Sequence, residues 1–387
     1  MVHRKPFRFL GCSPLTRSAK FFILLSRSNM LRSCSMSVAT GKRFSKPSRR
    51  SVRRVATALA VLAVALTACS GRGSDPNIDL SELQSDGTGS TPLTNQTYAT
   101  TDQVLAAVAA AQQTQTLPET ASEQLATITQ QLNDRNYDDH ADYCFDRRDV
   151  SAPVVQFNEF GECAYGAPNG MKHMVLFGDS HAETWSGALE RVAAVTGWKL
   201  RVFDKPGCPV ADLLFRNEEA GSPDADCDTF RAAAIDTIRE LRPHLVVTAS
   251  LAGAPLANGD WPTQAQWQDG WTSTLRKLAQ PGTRLAVLGA YPEWENSGAR
   301  CLAAHTGDIQ QCGTDRVDMT GSLFESEKIA AAQSDALHID TVPWVCAQRC
   351  VPVAADIITY NDPYHLSKKY TDYLSGAVME ALKPAMA

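Results

Sequence analysis

From about residue 140 to the C-terminus, short unbroken apolar runs alternate with segments of helical periodicity. Met174-Val175-Leu176-Phe177, Leu200-Arg201-Val202-Phe203, Leu245-Val246-Val247-Thr248 and Leu285-Ala286-Val287-Leu288 have the length and side-chain character of buried strands, and His338-Ile339 marks a fifth, shorter one. Between and after them, apolar positions recur three and four apart over Glu183–Val195, Phe230–Leu241, Trp267–Leu278, Phe324–Ala332 and Ser367–Leu382. Asp228 or Thr229 stands where a cap for the second of these helices is expected. Apolar strands separated by helices predict a parallel sheet covered on both faces. The expected fold is therefore α/β, a three-layer sandwich with a parallel five-stranded sheet. Sites in such folds lie at the carboxyl ends of the strands.

Upstream the pattern weakens. Val104, Leu105, Val108 and Ala111 recur at helical spacing, and Glu119–Asn133 places Leu125, Ile128 and Leu132 on one face. Residues 102–139 are thus predicted as a short helical segment that packs on the main domain or spaces it from a membrane. Residues 69–101 are Ser-, Gly-, Thr-, Asp- and Asn-rich and lack the apolar content to build a core, which predicts a flexible tether. In residues 1–68 the pair Arg53-Arg54 precedes an apolar stretch, Val55–Leu66, well short of the roughly 20 residues a membrane span needs. Basic flank, short apolar core and the small residues before Cys69 predict a presequence with an export signal. Leu66-Thr67-Ala68-Cys69 resembles the lipobox of bacterial lipoproteins, which implies acylation at Cys69 and anchoring at the outer face of the cytoplasmic membrane; the alternative is an ordinary signal peptide with an incidental Cys and a secreted protein. Met30 and Met36 are alternative starts.

Charge sharpens this division. Residues 1–68 hold 14 Lys or Arg and no acidic residue, which leaves 23 basic against 42 acidic residues in the rest, a net of −19. Phosphate backbones are bound by Lys and Arg that release counterions, so nucleic acid is not expected as a partner. Of the eleven cysteines, Cys12 and Cys34 fall in the presequence and Cys69 at the lipid site. The remaining eight, an even number in an exported chain, predict disulfides. Neighbour pairing is the simplest arrangement: Cys144–Cys163, Cys208–Cys227, Cys301–Cys312 and Cys346–Cys350. Cys346 and Cys350 lack a second Cys/His pair at matching spacing, so zinc is disfavoured and no metal is expected.

Two blocks carry candidate chemistry. Gly178-Asp179-Ser180-His181 follows the first strand and opens the first helix, where backbone N–H groups are unpaired and can face a developing oxyanion. Taken alone, Asp and Ser at that place are equally well explained as helix caps. Asp362-Pro363-Tyr364-His365-Leu366-Ser367 precedes the last helix. A serine nucleophile needs a base, and the base a carboxylate to orient it. Asp362 and His365 are spaced to face one site from a loop. Trp261, Trp267, Trp271, Tyr291 and Trp294 are candidates to line a sugar groove, although Trp267 and Trp271, four apart, read more simply as a packed helix face. Glu293 and Glu295 flank Trp294 in the manner of a glycosidase carboxylate pair, a weaker reading.

These two blocks over residues 140–387 resemble the SGNH (GDSL-like) hydrolase superfamily, and most closely the SGNH domains fused to or partnered with acyltransferase-3 membrane proteins that O-acylate bacterial envelope glycans. The resemblance implies a flavodoxin-like SGNH fold, with Ser180 as nucleophile, His365 as base and Asp362 as its orienting acid. It places Gly207, in Lys205-Pro206-Gly207-Cys208, in the oxyanion hole beside the Ser180 amide, and gives His181 a part in shaping the pocket. The family's third block, Gly-x-Asn-Asp, is missing. The third strand runs into Thr248-Ala249-Ser250-Leu251, so either Ser250 substitutes as a donor or the hole has backbone donors alone. The implied function is extracytoplasmic O-acyl (acetyl) transfer to, or ester hydrolysis on, an envelope glycan or glycolipid. It needs no cofactor, and an acyltransferase-3 membrane protein is a possible acyl donor. The rival reading is a tethered, noncatalytic glycan-binding or accessory lipoprotein of the same fold. If Cys69 is acylated, Cys69→Ala shifts the protein from the detergent phase to the soluble fraction on phase separation; wild-type protein recovered soluble in the cytoplasm would contradict both anchor and export.

Overall fold

The computed structural model of the chain describes residues 98–134, 164–217, 220–294, 296, 298–316 and 321–387, all within one compact unit, Asn77–Ala387. The presequence, Cys69, nearly all of the tether, and Cys144 and Cys163 lie outside the described residues.

Five parallel strands form the centre: β2 (Lys172–Gly178), β3 (Trp198–Asp204), β4 (Leu245–Ala249), β5 (Arg284–Leu288) and β6 (Leu337–Ile339). A two-residue strand, β1 (Tyr165–Gly166), adds antiparallel to β3, so the sheet has six strands rather than the expected five. Two residues are too few for any periodicity to register. Gly166 has φ 72°, and a Cβ there would stand 2.5 Å from the Ala193 side chain. The order β1-β3-β2-β4-β5-β6 gives the five parallel strands the doubly wound 2-1-3-4-5 arrangement, whose switch point lies between β2 and β4.

Alternate strand residues enter opposite cores, as the pleat requires. Met174 and Leu176 of β2, with Leu200, Val202, Val247 and Leu288, meet α3 (Ser180–Thr196) through Trp185 and Leu189. Val175 and Phe177, with Phe203, Val246 and Val287, meet α4 (Ala225–Leu241), α5 (Gln264–Leu278) and α7 (Ser322–Gln333) through Phe230, Trp267, Trp271 and Ala330. The last helix expected from the sequence is two, α8 (Lys368–Tyr373) and α9 (Ser375–Met386). At their junction the Ser375 hydroxyl donates to the Asp372 carbonyl, 2.7 Å away, a local bond that competes with the regular ladder. Asp224, not Asp228 or Thr229, caps α4, so that helix starts five residues before Phe230.

The helical segment is part of this body. α1 (Thr101–Ala111) buries Val104, Val108 and Ala111 in the first core. α2 (Glu119–Asp134) buries Ala121, Leu125 and Ile128 in a satellite core with Leu302 of α6 (Ala299–Ala304), Ile309, Val353 and Ile358. Disulfides join Cys208–Cys227, Cys301–Cys312 and Cys346–Cys350, the neighbour pairing expected. Phe177 is 1% exposed and Met171 is 90% exposed. Phe177→Ala is therefore expected to lower unfolding free energy by about 3–5 kcal/mol, and Met171→Ala by less than about 0.5 kcal/mol, as read from denaturant midpoints.

Candidate active site

Ser180 is the first residue of α3, and the turn that exposes it depends on contacts made by its neighbours. Gly178 ends β2 where the chain passes close to β4: a Cβ there would stand 1.9 Å from the Ala249 carbonyl oxygen and 2.9 Å from the Ala182 side chain. The motif glycine is required by this close approach. Asp179, fully buried, is the helix cap and accepts the His181 N–H at 2.9 Å. Its other oxygen accepts the Ser250 hydroxyl at 2.6 Å and the Leu251 N–H at 3.1 Å. Ser250 Oγ in turn accepts the Val210 N–H at 3.2 Å. One carboxylate thus ties together the segments that follow β2, β3 and β4. Burial raises the Asp179 carboxyl above its ordinary value, against the opposing pull of His181, Ser250 and two backbone N–H groups.

The second block lies beside the first. His365 Nε2 lies 2.9 Å from Ser180 Oγ, and His365 Nδ1 lies 2.9 and 3.1 Å from the two Asp362 oxygens. Asp362 Oδ1 also accepts the N–H groups of Tyr364 and His365, at 2.8 and 2.9 Å. Burial disfavours the imidazolium of His365, but the Asp362 hydrogen bond and charge outweigh it and raise the histidine above its ordinary value. Burial opposes ionisation of Asp362 as well, yet His365 and the two backbone donors hold this carboxyl below the usual range. Asp362 therefore keeps the Nδ1 proton in place, and Nε2 presents a lone pair to the serine hydroxyl, the arrangement that lets a serine lose its proton while attacking a carbonyl.

Around this relay the expected residues divide. Gly207 is the third residue of a turn closed by the Cys208 N–H to the Lys205 carbonyl, 3.0 Å, with Pro206 second and φ 76° at Gly207, a type II arrangement. Lys205 N–H donates to the Gly178 carbonyl at 3.1 Å, which brings the turn beside the Gly178–Ser180 segment. The Ser180 and Gly207 amides donate to no acceptor among the described residues, and the space beside Gly207 is open. Ser250 is different. Its single proton is directed to Asp179 and the residue is 1% exposed, so the structure does not bring it to Ser180 as a donor. His181 is buried, with its ring stacked on Tyr291 at 4.4 Å and Nε2 3.1 Å from Glu293. Glu293 is thereby committed to His181.

Burial removes most of the candidate sugar groove: Trp267, Trp271, Tyr291 and Trp294 are core side chains, and of the five aromatics only Trp261, 62% exposed, faces solvent. The roles of Asp179 as a three-way anchor and of Tyr291 under His181 were not visible in the sequence. The only signal was the place of Asp179 within the first block.

The SGNH domain (fused to AT3 domains) family model matches residues 143–380, more than half of the chain. The chain belongs to this SGNH family. No curated protein matches it in sequence. Among solved structures, the SGNH domain here is similar to the Salmonella ser. Paratyphi A lipopolysaccharide acetyltransferase periplasmic domain, at 16% identity and a TM-score of 0.49, over 67% of this chain and 98% of that one. It is also similar to a protein of Bacteroides fragilis assigned as an acylhydrolase, at 13% identity and a TM-score of 0.35, over 57% and 90% of the two chains. A protein of Bacteroides uniformis assigned as a GDSL-like lipase matches at 13% identity and a TM-score of 0.32, over 56% and 97%.

A base must be neutral to accept a proton, so any Ser180-dependent turnover by this SGNH domain should rise with pH through the His365 titration. Because Asp362 raises that titration, the midpoint of log kcat/KM is expected above the ordinary histidine value of about 6.5. Asp362→Asn should move the midpoint downward as well as lower the plateau, and an unmoved midpoint would count against the coupling.

Proposed function

We propose that this SGNH domain is an extracytoplasmic serine O-acyl (acetyl) transferase or esterase that acts on cell-envelope glycan or glycolipid. The observation that carries the reading is the continuous hydrogen-bonded path Ser180 Oγ–His365 Nε2, His365 Nδ1–Asp362 at the carboxyl end of β2. Ser180 Oγ attacks the acyl carbonyl while His365 takes its proton, and Asp362 stabilises the imidazolium. The Ser180 and Gly207 amides receive the oxyanion. His365 returns the proton to the leaving oxygen, and an acyl-Ser180 ester remains. A sugar hydroxyl, or water, then gives its proton to His365 and attacks the acyl carbonyl; as the bond from that carbon to Ser180 Oγ breaks, His365 returns the proton to Ser180 Oγ, and the acyl group leaves on the acceptor.

Two further features support the finer parts of this reading. Membership of a family fused to AT3 domains favours an acyltransferase-3 protein as acyl donor. Three disulfides suit an oxidising compartment outside the cytoplasm, in keeping with the signal-like residues before Cys69.

The commitment of Ser250 to Asp179 favours the rival reading, a noncatalytic accessory protein, because it leaves the oxyanion with backbone donors alone. Loss of one donor typically costs about 10²–10³ in rate, which reduces turnover without abolishing it and suits transfer to a bound acceptor better than fast hydrolysis. The test is aryl acetate turnover with and without a glycan acceptor, following acid release and acylated sugar. Ser180→Ala and His365→Ala are each expected to lower turnover by at least about 10³-fold, with the double variant scarcely worse, because the groups act as a unit. Equal activity in wild type and Ser180→Ala would leave the accessory reading standing.

A further inference from the structure

The family match begins at residue 143, yet a side chain from α2, which ends at Asp134, is built into the base of the loop that carries Asp362 and His365. Gln124 is 9% exposed. Its Oε1 accepts the Ile358 N–H at 2.9 Å, and its Nε2 donates to Ser367 Oγ at 3.1 Å and to the Ile358 carbonyl at 3.4 Å. Ile358 and Ser367 are the two ends of the loop. Ser367 Oγ donates to the Ile358 carbonyl, accepts the Tyr370 N–H at 3.2 Å as the cap of α8, and its own N–H donates to Thr359. With one proton given and two bonds accepted, that hydroxyl is fully used. Inside this closed neck, Asn361 N–H donates to the His365 carbonyl at 3.0 Å. From the other side the Tyr360 hydroxyl donates to the Pro292 carbonyl at 2.6 Å, and the Trp294 N–H to the Pro363 carbonyl at 3.2 Å.

We infer that Gln124 is a positioning residue for the acyl-transfer site, and that the helical segment outside the matched domain completes that site by clamping both ends of the Asp362–His365 loop. This rests on the proposed serine chemistry. Asp362 and His365 ride on one loop and move together, so their mutual bond survives a slack neck. What a slack neck displaces is His365 relative to Ser180, which belongs to a different element. Misplacement on the ångström scale is worth up to about 10²-fold in rate.

The experiment compares Gln124→Met, which keeps side-chain length and apolar packing, with Ile128→Val, which loosens the same helix against the satellite core but leaves every Gln124 hydrogen-bonding group to Ile358 and Ser367 in place. Readouts are the rate at which a fluorophosphonate labels Ser180, kcat and KM for an aryl acetate, melting temperature, and hydrogen exchange of the loop amides 359–366. Gln124→Met is expected to slow labelling and kcat about 10- to 100-fold with KM within about twofold of wild type, and to speed exchange in the loop. Ile128→Val is expected to lower the melting temperature and leave labelling within about twofold of wild type. If Gln124→Met does not fold, Ser367→Ala removes the other end of the same network and is held to the same criteria. Unchanged labelling, or a loss no greater than that of Ile128→Val at equal melting temperature, overturns the inference. A wild type whose Ser180 never reacts overturns the serine chemistry and the positioning role with it. That failure is recognisable because loop exchange would still respond to Gln124→Met.

Discussion

The hydrogen bond between Ser180 Oγ and His365 Nε2 joins groups 185 positions apart in the chain, and much of the structure bears on holding its two ends. A bond of this kind adds little net stability in water-accessible surroundings, on the order of 1 kcal/mol, so it cannot position the groups that form it. Their placement comes from stronger constraints. Ser180 is fixed by a helix whose Trp185 and Leu189 are buried against the sheet, and His365 by a loop tied at its neck and along its flank.

The nucleophile end is organised around an unusual centre, a buried carboxylate. Asp179 has no solvent exposure and accepts three hydrogen bonds, one from its own helix and two from the segment after β4. Burying such a group is costly unless its oxygens are satisfied, and here they are satisfied by donors whose positions matter to the site. The same bonds use the Ser250 proton. The fold therefore uses Ser250, the residue standing where the SGNH hydrolase pattern has an Asn, to secure the turn that presents Ser180.

The base end is supported from several directions. The segment after β5 holds the loop through Pro292 and Trp294, and α2 holds its neck through Gln124. Beneath it the satellite core packs α6 against α2, and the Cys301–Cys312 disulfide ties α6 to the turn at Ile309–Cys312. His181, stacked on Tyr291 and bonded to Glu293, fills the space between this segment and the start of α3.

By itself the sequence determined the parts that follow from local periodicity and local spacing. The five parallel strands and the helices between them are short-range patterns, since apolar runs declare themselves within a few residues; the cysteines announced disulfides by their even number, and the neighbour pairing seen in three described disulfides was the simplest of the connectivities the sequence left open. Ser180, Asp362 and His365 were nameable for the same reason: each lies in a compact block next to a helix start. What only the tertiary structure decided are contacts between distant segments, in which neither partner carries a mark. The two-residue β1, the commitment of Ser250 to Asp179, the burial of Tyr291 and Trp294, and the bond from Gln124 to a loop more than 230 positions away belong here. An indole reads the same in a core as in a groove, and a glutamine on a helix looks like any solvated one. Which it becomes depends on what the rest of the chain packs against it.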